Sequence, residues 1–188
     1  EYKKMGIRAT PQRELIFENC RIPRENLLGE EGKGFKIAMT ALDVGRVGVA
    51  GQGLGAAIGA YDLALKSTNE RVQFGKPVIA NQGVSFMLAD MATKIELARL
   101  LILKTAWLMQ EGLPYSKEAA RSKLVCTDTG MEVATNAVQL LGGKGFLRDT
   151  EAERFMRDAK ILQIYEGTNE IRKLILAGMI TAEIKPKS

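Results

Sequence analysis

Apolar residues recur at steps of three and four positions over most of the chain after Gly34, which is the spacing of one face of an α-helix. The clearest stretch of this kind extends from Gly83 to Gly112. Its stepped apolar positions are Val84, Leu88, Met91, Ile95, Ala98, Ile102, Ala106 and Met109. This pattern predicts a long amphipathic helix.

A second long helix is predicted to begin at Ser116, a residue type suited to an N-cap, and to end at Gly142 and Gly143. Its stepped positions are Ala120, Leu124, Thr127, Met131, Ala134, Val138 and Leu141. Two more helices fit the same period. One extends from about residue 35 to 70, with or without a break at its glycines, and the other from about residue 169 to 184.

Compact turns at residues 74–77 and 111–114 join these helices. Short connections make neighbouring helices antiparallel, so the predicted fold is all-α, an up-and-down four-helix bundle.

The start of the chain has a different pattern. Pro11 and Pro23 bracket residues 14–22, a partly alternating run typical of a β-strand. A lone strand cannot satisfy its backbone groups, so this one is expected to belong to a sheet whose other strands lie upstream. We therefore expect a chain truncated at its start, with residues 1–30 as the tail of a β domain and residues 31–188 as the helical domain.

Composition narrows the class of protein. With 46% hydrophobic and 26% charged residues, the chain is expected to be soluble and globular. A net charge of +5 weakly favours an anionic ligand, such as a CoA phosphate or a dinucleotide. Basic residues are neither dense nor interleaved with aromatic ones, which argues against a nucleic-acid partner. No apolar run is long enough for a membrane span, and no signal peptide is expected from residues 1–4 and those that follow.

Histidine is absent, which excludes Ser/His and Cys/His nucleophile systems and histidine-based metal sites. No metal site is predicted. A proton-transfer group must then be Asp, Glu, Lys, Tyr or Cys. Cys20 and Cys126 have neither metal-ligand nor redox-motif spacing, and free thiols fit a reducing compartment.

Two glycine-rich stretches could bind a dinucleotide. Residues 51–56 contain G-x-G-x-x-[GA], but the residues before them have a helical pattern where that fingerprint needs a strand. We therefore expect Gly51, Gly55 and Gly59 to let another helix approach closely. Residues 139–146 end a helix, and their glycines suit either a C-cap or a surface of exposed amides for a dinucleotide.

Acidic residues near the C-terminus have both structural and chemical interpretations. The charged stretch 148–160 is typical of a solvated helix face. Glu166 lies at the entrance of the last helix, which Thr168 or Asn169 could cap. A carboxylate there usually serves capping or the helix dipole, and from the residues alone that interpretation is the favoured one. The absence of histidine somewhat strengthens the alternative, in which Glu166 is a base.

Several motifs occur in order along nearly the whole chain. They are Leu42-Asp43-Val44-Gly45-Arg46, Arg71-Val72-Gln73-Phe74-Gly75-Lys76-Pro77 with Gln82, Gln139-Leu140-Leu141-Gly142-Gly143, Met156-Arg157-Asp158-Ala159-Lys160 and Ile164-Tyr165-Glu166-Gly167-Thr168-Asn169-Glu170. Together they closely resemble the C-terminal portion of acyl-CoA dehydrogenases.

The resemblance implies a middle β-domain tail followed by a C-terminal four-helix bundle. It also implies the activity, the α,β-dehydrogenation of an acyl-CoA thioester. Glu166 would remove the α-proton while a β-hydride goes to FAD, and electron-transferring flavoprotein would then accept the electrons. The implied assembly is a homo-oligomer, a dimer of dimers, in the bacterial cytoplasm or the mitochondrial matrix.

The same resemblance implies binding roles for individual residues. The residues implied for FAD are Arg71, Gln82, Gln139, Gly142, Gly143, Thr168 and Glu170, of which Gln139, Gly142 and Gly143 would face the FAD of a neighbouring subunit. Asp43, Arg46 and Gly167 are implied for the acyl-CoA substrate. Asn169 falls at a variable position of the family and is given no role.

One position bears on the subfamily. In the isovaleryl and long-chain types the base occupies the position before the arginine matched by Arg46, and here that position is Gly45. The chain is therefore similar to the short- or medium-chain type, with butyryl-CoA as the favoured substrate. The alternative is a non-catalytic helical interaction module, since about half of such an enzyme is missing. A nicotinamide enzyme, based on residues 51–56, is disfavoured by their helical setting.

Overall fold

The computed structural model describes residues 2–184 and is dominated by helices. The predicted domain ranges also include residue 1 and residues 185–188, which lie outside the described part. The five α-helices are α1 (Gly34–Glu70), α2 (Gln82–Gln110), α3 (Ser116–Leu141), α4 (Ala152–Leu162) and α5 (Asn169–Ile184). The all-α bundle predicted from the periodicity is confirmed.

α1 and α3 form the central pair of the bundle, and two glycines allow their backbones to touch. A Cβ atom added at Gly53 would lie 2.6 Å from the carbonyl oxygen of Cys126, and one added at Gly130 would lie 2.7 Å from that of Gly53. The expectation for Gly51 and Gly55 is wrong, because both face open space. A Cβ atom added at either position would have no neighbour within 4 Å.

The hydrophobic core lies where α1, α2, α3 and α4 meet, and it is built from small residues on α1 and larger ones on α2. Its buried members include Ala57, Ala60, Ala64, Leu88, Met91, Ile95, Val133, Ala134, Ala137 and Ala159. Gly59 belongs to the same packing, since a Cβ there would lie 2.7 Å from the ring of Phe155 on α4. Alanines and glycines on α1 thus let the neighbouring helices pack closely. The bundle is stabilised there by many van der Waals contacts at short range and not by large apolar side chains on α1.

Helix boundaries agree closely with the periodicity, except for one cap. α1 continues through its glycines without a break. α3 begins at Ser116, but the N-cap position belongs to Tyr115 and carries no side-chain hydrogen bond. The hydroxyl of Ser116 instead donates to Oδ2 of Asp43 on α1, at 2.6 Å. The assignment of Ser116 as the N-cap is therefore wrong, because a tertiary partner takes its hydroxyl.

No strand forms at residues 14–22 in the described part of the chain, contrary to the local pattern. Leu15, Ile16 and Phe17 are each more than 70% exposed. A strand requires a partner for its ladder, and residues 2–184 offer none at this place. The strands described are β1 (Val72–Gln73) and β2 (Lys76–Pro77), a short antiparallel hairpin beyond α1.

The N-terminal segment is attached to α4. The backbone N–H of Ile7 donates to Oδ1 of Asp158 at 2.6 Å, and Nη1 of Arg157 donates to the carbonyl of Met5 at 2.8 Å. These contacts bring the start of the chain beside the loop that follows α4. Within residues 2–184, none of the helices combines the length and the apolar character needed to cross a membrane.

Candidate active site

The loop between α4 and α5, residues 163–168, carries Glu166 in an unusual backbone conformation. Glu166 has φ +55° and Gly167 has φ +88°, so two consecutive residues are left-handed. This conformation is uncommon for a residue other than glycine and persists where the surroundings enforce it. The turn directs the carboxylate of Glu166 toward α1.

Gly45 on α1 provides the space for that carboxylate. A Cβ at Gly45 would lie 3.0 Å from Oε2 of Glu166 and 3.3 Å from Oε1. Oε2 is buried and has no hydrogen-bond partner among the described residues. A buried carboxylate oxygen without a donor is energetically costly, so this atom marks a place where a ligand or a reacting group is expected.

Asp43 and Arg46 lie on the same stretch of α1 and form an ion pair. Arg46 is buried, and its Nε has no partner among the described residues. Because Ser116 also donates to Asp43, the start of α3 is tied to this part of α1. The two residues predicted for substrate thus lie within one turn of Gly45 and beside Glu166.

Arg172 on α5 is a second buried guanidinium in this place, and sequence reasoning missed it. It is 2% exposed, and its Nε and Nη1 have no partner among the described residues. A Cβ at Gly167 would lie 2.4 Å from Nη2 of Arg172, so Gly167 is needed for the guanidinium to fit. Burial and the nearby Arg46 lower the pKa of Arg172, while Asp43 and Glu166 oppose that effect. Nothing in the sequence pattern of α5 distinguishes this arginine from a solvated one.

Lys123 on α3 is fully buried beneath the α4–α5 loop and was also missed. Its Nζ donates to the carbonyl oxygen of Gly167 at 2.9 Å and to Oδ1 of Asn169 at 2.8 Å. Burial, with Arg172 second, lowers the pKa of Lys123 to about 8. A signal existed, because position 123 lies three residues after Ala120 and four before Thr127, on the apolar face of α3.

Asn169, to which the family resemblance gave no role, is a buried anchor of the loop. Its Nδ2 donates to Oδ1 of Asp128 at 2.7 Å, and Nε2 of Gln163 donates to the same oxygen at 2.7 Å. Thr168 accepts a long bond of 3.4 Å from the backbone N–H of Ile171 and so caps α5, as predicted. Both ends of the loop are therefore fastened to α3 or to α5.

Glu170 is exposed on the first turn of α5. Its own backbone N–H and the hydroxyl of Thr168 hold the pKa of its carboxyl below the ordinary value. Glu170 and Thr168 thus act together at the start of the helix, where a carboxylate also complements the helix dipole.

The remaining predicted cofactor residues form a second group at the far end of the bundle. Nη1 of Arg71 donates to the carbonyl oxygen of Leu141 at 3.2 Å and lies 3.4 Å from the position of a Cβ at Gly142. Gly142 has φ +62° and ends α3, as the C-cap interpretation predicts. Gln82, Gln139 and Gly143 are exposed around this point.

The two groups do not meet within one copy of the chain. Gly45 and Arg71 are about 26 residues apart along one unbroken helix, which corresponds to about 39 Å of rise. The structure therefore brings together Asp43, Gly45, Arg46 and Glu166, and it places Arg71 elsewhere. A site that used both groups would need a second copy of the chain.

A mainly apolar cavity of about 270 Å³ lies between the N-terminal segment and α4, lined in part by Met5, Ile7, Ile161, Ile164 and Tyr165. Glu166 is not among its lining residues. The hydroxyl of Tyr165 contacts Oε1 of Gln52 on α1. The side chain of Tyr165 thus holds the α4–α5 loop against α1 on the side facing this cavity.

Comparison with known proteins gives concordant matches. Residues 32–180 match the family model described as acyl-CoA dehydrogenase, C-terminal domain. A short-chain specific acyl-CoA dehydrogenase of Clostridium acetobutylicum is 52% identical over 95% of this chain and 47% of its own length.

Two solved structures share the fold closely. The butyryl-CoA dehydrogenase of Megasphaera elsdenii has 50% identity and a TM-score of 0.94, over 96% of this chain and 47% of that one. A structure described as an electron transferring flavoprotein of Acidaminococcus fermentans has 52% identity and a TM-score of 0.94, over 95% and 47%. The chain spans about half the length of the relatives it matches.

Proposed function

The chain belongs to the acyl-CoA dehydrogenase family, and from this premise we propose that it serves in the flavin-dependent α,β-dehydrogenation of a short-chain acyl-CoA thioester, with Glu166 as the base. The observation that carries the proposal is the buried, unpartnered Oε2 of Glu166 held against Gly45. That oxygen is free to accept a proton. The other known place for the base in the family is occupied by glycine.

The surroundings of Glu166 suit proton abstraction from carbon. The α-hydrogen of a thioester is a weak acid, so the base must be desolvated and the carbonyl polarised in the transition state. Substrate that covers Glu166 would remove water from around the carboxylate. Lys123 and Arg172 provide compensating positive charge nearby. The backbone N–H of Glu166 is our candidate donor to the thioester carbonyl, because one residue then offers both base and donor.

FAD fits the chemistry of the residues predicted to hold it. Arg71 offers a guanidinium, Gln82 and Gln139 offer exposed amides, and the turn at Gly142 leaves no side chain in the way. Phe74 beside them is 99% exposed, as expected of a ring that another molecule covers. When bound, FAD supplies the acceptor for the β-hydride. Thr168 and Glu170 are our candidates for a contact near the base.

Oligomer formation is part of the proposal. One face of α2 carries Leu97, Leu100, Leu103 and Trp107, each more than 50% exposed. An apolar stripe of this size on a helix is typical of a protein interface. A second copy of the chain, in a dimer of dimers, would cover it and would bring the Arg71 group to a neighbouring site. We further propose an electron-transferring flavoprotein as electron acceptor, consistent with the description of one matched structure.

The decisive experiment replaces the base. Glu166→Gln in the complete flavin-loaded protein that carries this chain is expected to abolish exchange of the acyl-CoA α-proton with solvent, while the flavin spectrum persists. Glu132→Gln, at a half-exposed partner of Lys94, is the matched control and is expected to keep activity. Turnover retained by Glu166→Gln would refute the assignment.

Substrate class is tested by flavin bleaching with acyl-CoA thioesters of increasing chain length. The short-chain proposal, with butyryl-CoA favoured, expects the fastest bleaching with four carbons and a decline with longer chains. A maximum at eight or more carbons would contradict it.

The alternative function, a helical interaction module without catalysis, is favoured by the apolar face of α2 alone. Absorbance separates the two functions. Protein purified with a flavin spectrum supports the enzyme, whereas a colourless, oligomeric protein that no added FAD can restore supports the module.

A further inference from the structure

We propose that Lys123 is the positioning residue of the α4–α5 loop, holding Gly167 and Asn169 so that the carboxylate of Glu166 stays directed at α1. This inference rests on the proposed function, since it concerns the same base. Lys123 acts through the backbone that follows Glu166 and is assigned no contact with the reacting atoms.

The geometry of Lys123 carries the inference. Its ammonium is fully buried, and its two acceptors are the carbonyl of Gly167, directly after Glu166, and the side chain of Asn169, the first residue of α5. One side chain therefore spans the left-handed turn and ties it to α3. Hydrogen bonds from a charged donor are shorter and stronger than neutral ones, so this attachment is firm.

Asp128 provides a second, neutral-donor attachment from the same helix. It accepts from Gln163 at the start of the loop and from Asn169 at its end, each at 2.7 Å. This pair fastens the ends of the loop but leaves the peptide between Glu166 and Thr168 free. Only Lys123, among these attachments, binds that peptide.

Burial of a charged lysine is costly, and nearby carboxylates offset part of that cost. Three carboxylates face it: Asp128 on α3, Glu166 on the loop and Glu170 on α5. Arg172 opposes them, and Asp43 and Arg46 of α1 face Arg172 in turn. Removing Lys123 would therefore remove a charge from among these groups as well as the two hydrogen bonds.

Amide hydrogen exchange tests the positioning role without any need for turnover. In the complete flavin-loaded protein, Lys123→Met is expected to speed exchange at residues 163–169 by about tenfold or more, because two charge-assisted bonds are lost. Lys117→Met, on the same helix but in a surface ion pair with Glu183, is the control and leaves that loop unchanged. Loop protection equal in Lys123→Met and the unmodified protein overturns the inference.

Turnover gives a second readout that a purely structural role would not change. For Lys123→Met we expect kcat to fall about tenfold or more with little change in KM, because the base is misplaced while the substrate contacts remain. Lys123→Gln keeps a neutral donor, so it should restore both loop protection and kcat in part. It also carries the test if Lys123→Met fails to fold.

The two hypotheses fail separately. An unmodified protein without turnover refutes the proposed function. The comparison of amide exchange at residues 163–169 with and without Lys123→Met still tests the positioning role in that case. Normal kcat in both Lys123 variants overturns the positioning role even when Glu166→Gln is inactive.

Discussion

Replacement of Gly45 most directly tests the contact that positions the carboxylate of Glu166 against α1. In Gly45→Ala the new methyl group would lie 3.0 Å from Oε2, so the carboxylate must move by a few tenths of an ångström. We expect kcat to fall by about tenfold or more, because small displacements of a reacting group are costly. Folding stability should not fall, since alanine is the better helix former.

Gly51→Ala is the matched control for that substitution. It lies on the same helix with open space around it, so activity should be unchanged and stability slightly higher. Kinetics and chemical denaturation of both variants check the prediction. Equal kcat in Gly45→Ala and the unmodified protein would show that the carboxylate is not held at this contact.

Lys123 gives a pH dependence with a definite sign. Its folded-state pKa is about 8, below its ordinary value of 10.5, so the unfolded chain binds more protons between those two values. The free energy of unfolding should therefore gain a contribution that rises with pH through this window. Burial raises the pKa of Cys126 to about 12, which acts in the opposite direction above pH 9.

The contribution of Lys123 is isolated by comparison with Lys123→Met, which retains Cys126. Denaturant unfolding at pH 7.5 and pH 10 should show stability rising more in the unmodified protein than in the variant. The same rise in both proteins would mean that burial does not lower the pKa of Lys123.

At the scale of elements, the contact between α1 and α3 depends on glycine. Gly53→Ala would place a methyl group 2.6 Å from a backbone carbonyl that cannot move without displacing α3. We expect a loss of about 1–3 kcal/mol in unfolding free energy, typical of overpacking in a close-packed core. Gly55→Ala, two residues away in open space, should instead stabilise by up to about 1 kcal/mol.

Denaturation of the two variants side by side measures this difference. Both substitutions replace glycine by alanine on the same helix, so the contribution of helix propensity is the same in both. The difference in unfolding free energy therefore measures the packing contribution. A similar stability for both would place the helix contact elsewhere.

Periodicity alone predicted α2, α3 and α5 nearly to the residue, because each buries one face and has a clear start and end. It failed where a tertiary partner decides the outcome. Ser116 binds Asp43 instead of capping, and residues 14–22 have no ladder partner.

Within the site, family motifs supplied Glu166, Asp43, Arg46 and Gly45, which the structure places together. Arg172 and Asn169 could not be predicted, since their burial depends on how α5 docks on α3. Lys123 could have been, from its position on an apolar helix face. The assigned chemistry of these residues stays a prediction until Glu166→Gln is measured.

For the whole molecule, the length of α1 has a consequence for genetics as well as for geometry. If one flavin site draws Glu166 from one copy and Arg71 from another, two inactive alleles can complement each other. In a hybrid dimer of Glu166→Gln and Arg71→Ala subunits, one site combines both defects and the other combines both intact residues. With random pairing about half of the dimers are hybrid and each has one intact site of two, so co-expression should restore about a quarter of the unmodified activity.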